Sequence, residues 1–117
     1  MLAKINRLTK DKDFDNVFKN GKSSYDKIIG VKAAASQQKN SRFGILVSAK
    51  VSKKAVERNA IKRKIREALK PRIIKIAKNY DIVIVTFPGI LGKSYQDVEQ
   101  SIIRHFQRLG LHKLNRN

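Results

Sequence analysis

Cysteine is absent from the 117 residues, and acidic side chains are scarce: nine Asp and Glu stand against 27 Lys and Arg. The first absence excludes a disulfide framework, a cysteine-held zinc and thiol chemistry, and it fits a reducing compartment. The second leaves a formal charge of +18. A charge that high destabilises a compact chain by self-repulsion unless a polyanion neutralises it. Long apolar runs are also missing. The longest, Ile82 to Val85, is far too short to span a bilayer, and Met1 to Arg7 lacks the apolar run of a signal peptide. There are no internal repeats and no low-complexity tracts. What is present is 41% hydrophobic residue, enough for a core and against wholesale disorder. The length predicts one domain over 1–117, with no room for a separate catalytic module. The expected class is a small cytoplasmic binder of a polyanion, nucleic acid foremost, with no membrane and no protein partner evident.

Turn-rich or polar stretches at Asn20-Gly21, Gln37 to Ser41, Asn79-Tyr80-Asp81 and Pro88 to Gly92 divide the chain. Phe14, Val17 and Phe18 fall at i, i+3 and i+4, which predicts a helix over roughly 11–20 with Gly21 as its C′ residue. Asp11, Asp13 and Asp15 crowd its start, where the helix dipole favours negative charge. Ser23 to Ser36 alternates weakly and reads as one strand or two. Phe43, Ile45 and Val47 alternate more cleanly, and Ile82 to Phe87 reads as a strand buried on both faces. A helix is expected over about 54–70, ending or kinking at Lys70 because Pro71 follows, with a further turn from Arg72 to Lys78. Ser94 with Asp97 forms a capping-box variant. Val98, Ile102, Phe106 and Leu109 follow at helical spacing until Gly110. The order predicts an α+β sandwich, one sheet with helices packed on it.

Half of the net charge lies in residues 50–75, which hold eleven Lys and Arg against Glu57 and Glu67. At about 100° per residue, Ile61, Ile65, Ala68 and Leu69 form an apolar stripe. Asn59, Lys62, Arg63, Arg66 and Lys70 form an adjoining arc. Ordinary solvated faces mix signs at i, i+4. This arc sets like charges side by side, an arrangement that phosphates would relieve, and Arg suits bidentate phosphate contacts and stacking on bases.

The segment Lys54-Ala-Val-Glu-Arg-Asn-Ala-Ile-Lys-Arg-Lys-Ile-Arg-Glu67 resembles the signature of the bacterial ribonuclease P protein subunit, Arg-Asn-x-x-Lys-Arg-x-x-Arg-Glu, and Arg58 to Glu67 matches it at every fixed position. Asp13-Phe14 with Phe18 and Gly21-Lys22-Ser23 is similar to the family's N-terminal segment, and Arg42 to Ser48 to its strand before the helix. The resemblance covers about residues 5–110; the basic tail from about 111 carries nothing comparable. It implies a mixed sheet with three helices and a left-handed β-α-β crossover from Arg42–Ser48 to Ile82–Phe87, a hand contrary to about 98% of such connections. It also implies two partners: a catalytic RNA that hydrolyses the phosphodiester with Mg²⁺ bound mainly by the RNA, and precursor tRNA, whose 5′ leader is removed. Carried over by position, Lys54, Arg58, Asn59, Lys62, Arg63 and Arg66 would face the catalytic RNA. Phe14, Phe18, Tyr25 and Lys32 would line the leader site. Phe at i and i+4 is more often core than platform, so a core reading of Phe14 and Phe18 stands beside the leader-site one. Glu67 is expected to pair with Arg63 or Lys64.

Other motifs fail. Asp11-x-Asp13-x-Asp15 lacks the Gly and Glu of a calcium loop, with Asn16 and Lys22 at those positions. His105 and His112 have no carboxylate at ligand spacing and read as structural. No phosphate loop, Ser/His/Asp arrangement or paired acid and base is visible, so neither a catalytic residue nor a metal site is expected in the polypeptide. That argues against a basic nuclease acting alone. A structural ribosomal or nucleoid-type RNA binder would share the composition but would need no fixed order over Arg58 to Glu67.

Overall fold

The computed structural model describes residues 3–75 and 79–111. After a 3₁₀ turn at Lys4–Asn6, the chain forms α1 (Asp11–Asn20), β1 (Lys22–Tyr25), β2 (Ile29–Ala35) and β3 (Arg42–Leu46). Then come α2 (Ala55–Leu69), a 3₁₀ segment (Lys70–Lys75), β4 (Tyr80–Thr86), a 3₁₀ turn (Pro88–Ile90) and α3 (Tyr95–Leu109). The four strands make one mixed sheet in the order β1-β2-β4-β3. The β1/β2 and β2/β4 pairs are antiparallel and the β3/β4 pair is parallel, joined through α2. The expected α+β architecture is therefore present.

Strand register sorts the residues between two faces. Val31, Ile84 and Ile45 lie in one row beside Ser24, facing α2 and α3. There Ile61, Ile65, Ala68 and Leu69 meet Val98, Ile102 and Phe106 in the main core. The opposite face packs on α1, where Val17 meets Leu8, Ala34 and Val83. Coverage on both faces explains the weak alternation of β2: Ile29, Val31, Ala33 and Ala34 are all buried, whichever way they point.

Several expectations change in detail. Ser23 to Ser36 is a hairpin of two strands, turned by Asp26, whose Oδ1 accepts the amides of Ile28 and Ile29 at 2.8 Å. Gly21 is not left-handed (φ −82°). Its need is close approach, because a Cβ there would sit 2.5 Å from the Val17 carbonyl oxygen. Lys70 stays helical (φ −48°, ψ −53°) despite Pro71, and the chain tightens into 3₁₀ geometry. Arg72 supports it, donating to the Ala68 carbonyl at 2.8 Å and to Glu99 at 2.9 Å. Residues 76–78 of the expected further turn lie outside the described residues. Tyr80 and Asp81 belong to β4 rather than to a turn. Asp81 tolerates burial because Arg42 grips it with two hydrogen bonds, 2.8 Å from Nε and 2.7 Å from the terminal nitrogen. Val47 lies just past β3 and Phe87 just past β4. At α3 the capping box is complete, and Gly110 closes the helix in the left-handed region (φ 67°).

Candidate RNA-binding surfaces

One face of the sheet is only half covered. Register aligns Tyr25, Gly30, Val85 and Leu46 in one cross-strand row, and Ser23, Lys32, Val83 and Gly44 in the next. Helix α1 covers the second row from above and leaves the first open. Tyr25 and Leu46 are exposed and Val85 is half-buried.

Phe14 and Phe18 stand on the flank of α1 that borders this opening, and the structure separates their roles. Phe18 is 42% exposed. The Lys32 ammonium sits 5.9 Å from its ring centroid and 5.8 Å from that of Tyr25, within cation–π range. Phe14 is half-buried against the second core cluster. Its ring rests on Gly44, where an added Cβ would be 2.4 Å from the ring edge. Of the expected leader-site residues, then, Phe18, Tyr25 and Lys32 gather in one group, and Phe14 forms the floor beside them. Lys32 donates to Ser23 Oγ at 3.0 Å. The Ser23 hydroxyl, together with Lys32, holds the Tyr25 phenol below its ordinary pKa against the opposing effect of burial. Phe87, 6.2 Å from the Tyr25 ring, extends the aromatic group. Sequence reading missed it because it follows an all-apolar strand and reads as core.

The basic arc of α2 faces outward as its spacing predicts. Lys54, Asn59 and Arg63 are exposed, while Arg58, Lys62 and Arg66 are half-buried. Arg58 folds back to donate to the Ser52 carbonyl at 3.0 Å. The helix opens without a side-chain cap at Lys54; the nearby Ser52 hydroxyl bonds the Glu57 carboxylate instead. The expected pairing of Glu67 is absent: it is exposed and makes no ion pair among the described residues. Lys64 reaches across to the Lys93 carbonyl at 2.8 Å.

The two surfaces meet. A cavity of about 220 Å³ has Arg7, Leu8, Thr9, Phe14, Gly44, Ile45 and Arg66 in its lining. Arg66, assigned from sequence to the catalytic RNA alone, thus shares a cavity with Phe14. Arg42 was missed as an organising residue. It bridges Asp81 and Asp13, the latter at 3.2 Å, and ties the start of α1 to the sheet. Asp13 therefore serves this pair as well as the helix dipole. His105 does have a carboxylate neighbour, Asp26, which 78 intervening positions hid in the sequence. His112 lies outside the described residues. Among the described residues no group of three or more His, Cys, Asp or Glu is placed to hold a metal ion, and no helix is long and apolar enough to cross a membrane.

Comparison with known proteins agrees with this geometry. The Ribonuclease P family model matches residues 2–110. The ribonuclease P protein component of Streptococcus agalactiae is 36% identical over 110 residues, spanning 94% of this chain and 99% of the relative. That of Clostridium botulinum is 31% identical over 110 residues, 93% and 98% of the two chains. The Staphylococcus aureus RNase P protein superposes with a TM-score of 0.84 at 27% identity over 92% of this chain and 98% of that one. The Thermotoga maritima protein does so with a TM-score of 0.75 at 29% identity over 84% and 92%. With the Arg58 to Glu67 motif on an exposed helix face and a fold shared across its length, the chain belongs to the bacterial ribonuclease P protein family.

Proposed function

We propose that the protein is the protein subunit of a cytoplasmic ribonuclease P, binding the catalytic RNA and the 5′ leader of precursor tRNA to support 5′-end maturation. The observation that carries this reading is the shared cavity. It joins a cationic helix face, suited to the phosphates of a folded RNA, to an aromatic and cationic sheet face, suited to the bases of a single strand. Lys54, Arg58, Asn59, Lys62 and Arg63 engage the catalytic RNA. Phe18, Tyr25 and Lys32 hold the leader over the floor made by Phe14. Arg66 stands where the two nucleic acids meet. In this reading the Mg²⁺ that the reaction uses is bound mainly by the RNA, and the polypeptide binds and orients.

A cleavage assay tests the proposal. Purified protein with precursor tRNA and Mg²⁺ leaves the substrate intact. Adding the cognate RNA at low concentration brings leader removal, which the RNA alone performs more weakly. Leader removal by RNA-free protein would make it a nuclease in its own right. No effect on the RNA's activity would favour a structural RNA binder.

A further inference from the structure

Beneath the open sheet face, on the α3 side of β1, lies a polar cluster that neither binding surface uses. His105 is completely buried. Its Nδ1 is 2.7 Å from Ser24 Oγ and its Nε2 is 3.1 Å from Asp26 Oδ2. The second approach is bent, leaving Nε2 without a well-aligned hydrogen bond. Asp26 Oδ2 also accepts the Ser101 hydroxyl, and Arg104 stands 3.6 Å away. One tautomer fits: the ring proton on Nε2 toward Asp26, and Nδ1 accepting from Ser24. Burial holds the ring below its ordinary pKa against the pull of Asp26, in keeping with a neutral imidazole.

The location gives the cluster its meaning. β1 is a four-residue strand at the sheet edge, paired only with β2. Besides the Tyr25–Phe87 ring contact, it is tied by hydrogen bonds to α3, through Ser24 and through Lys22, which donates to the Leu109 carbonyl at 3.3 Å. Neighbouring strand residues point to opposite faces, so anchoring Ser24 below presents Tyr25 above. The Tyr25 ring lies so close over Gly30 that a Cβ there would be 2.3 Å from it. We propose that His105 is a positioning residue for the leader face: through Ser24 and Asp26 it pins β1 and its turn to α3, and so holds the Tyr25 ring where it receives a base. The inference rests on the leader reading of that face.

The test uses the protein reconstituted with its catalytic RNA, as wild type, Ser24→Ala, Tyr25→Ala and the double variant. Each is measured for affinity toward precursor and mature tRNA. Tyr25→Ala lowers the precursor-to-mature ratio about 5- to 150-fold, the range for one stacked base. Ser24→Ala, which removes one hydroxyl, lowers it about 2- to 10-fold, and by nothing further in the Tyr25→Ala background. His105→Leu, with folding checked by thermal unfolding, behaves as Ser24→Ala or more severely. An equal Ser24→Ala loss in both backgrounds overturns the inference, as does no loss where Tyr25→Ala shows one. NMR of the free protein reads the pin without RNA: contacts of the Tyr25 ring to Gly30 and Phe87 weaken in Ser24→Ala, and unchanged contacts overturn it. A ratio unaffected by Tyr25→Ala removes the leader reading instead, and the ring contacts then decide the pin alone.

Discussion

Phe14 and Phe18 show how two residues four positions apart on one helix divide two jobs. The ring of Phe18 is open to solvent beside Lys32, so Phe18→Ala leaves thermal stability nearly intact. It weakens precursor tRNA binding by the holoenzyme by roughly 1–3 kcal/mol while affinity for mature tRNA holds. A large fall in melting temperature with equal loss of both tRNAs would return this ring to the core. The i, i+4 spacing places both rings on one flank, but it cannot say which ring the sheet covers. That depends on Gly44, 26 residues beyond Phe18, making room beneath Phe14. His105 gives a second prediction. Burial first, then Arg108, lowers its pKa more than Asp26 raises it. As pH falls through the unfolded value of about 6.5, the unfolded chain gains the proton before the folded one does. Stability is therefore complete above that pH and declines below it. Asp26, held low by the Ser101 hydroxyl and two backbone amides despite burial, extends the decline into the acid range. Thermal unfolding from pH ~8 to ~5 follows this slope in the wild type, and His105→Leu flattens it near neutrality.

Among the elements, α2 is the most plainly written in the sequence. Its apolar stripe packs as spaced, and its basic arc faces out. Neither Arg63 nor Arg66 makes an ion pair among the described residues. Replacing both by Ala should keep the fold and flatten the dependence of RNA affinity on salt by up to about two phosphate contacts. Affinity titrations across a salt series measure that slope, and an unchanged slope in a folded double variant removes the helix from the RNA interface. α3 is legible as well, since its capping box and closing glycine are local signals. The hairpin of β1 and β2 was not. Its turn depends on an aspartate gathering two amides, and β2 is buried on both faces, which erases the alternation that marks a strand. The cavity that Arg66 of α2 shares with Phe14 of α1 was hidden for another reason: it arises from sheet order, which no local pattern encodes.

At the scale of the molecule, charge opposes folding and favours binding. With +18 on 117 residues and four close Arg–carboxylate ion pairs among the described residues, repulsion remains largely uncompensated. Screening then acts in opposite directions on two measurements. Raising salt from ~50 to ~300 mM raises the melting temperature of the free protein and weakens its hold on RNA. A melting temperature insensitive to salt would mean that the fold absorbs its charge unaided. Sheet order carries a different consequence. β4, from residues 80–86, lies between β2 and β3, so the strands made earlier share no neighbour until it arrives. A ribosome that has reached residue 75 has produced a hairpin, an unpaired strand and a helix with a bare apolar stripe, all lacking a centre. Such late, distant pairing is slow and leaves surface exposed while it waits. The nascent chain therefore emerges as a cationic ribbon in a crowd of RNA and closes around β4 only late in its own synthesis.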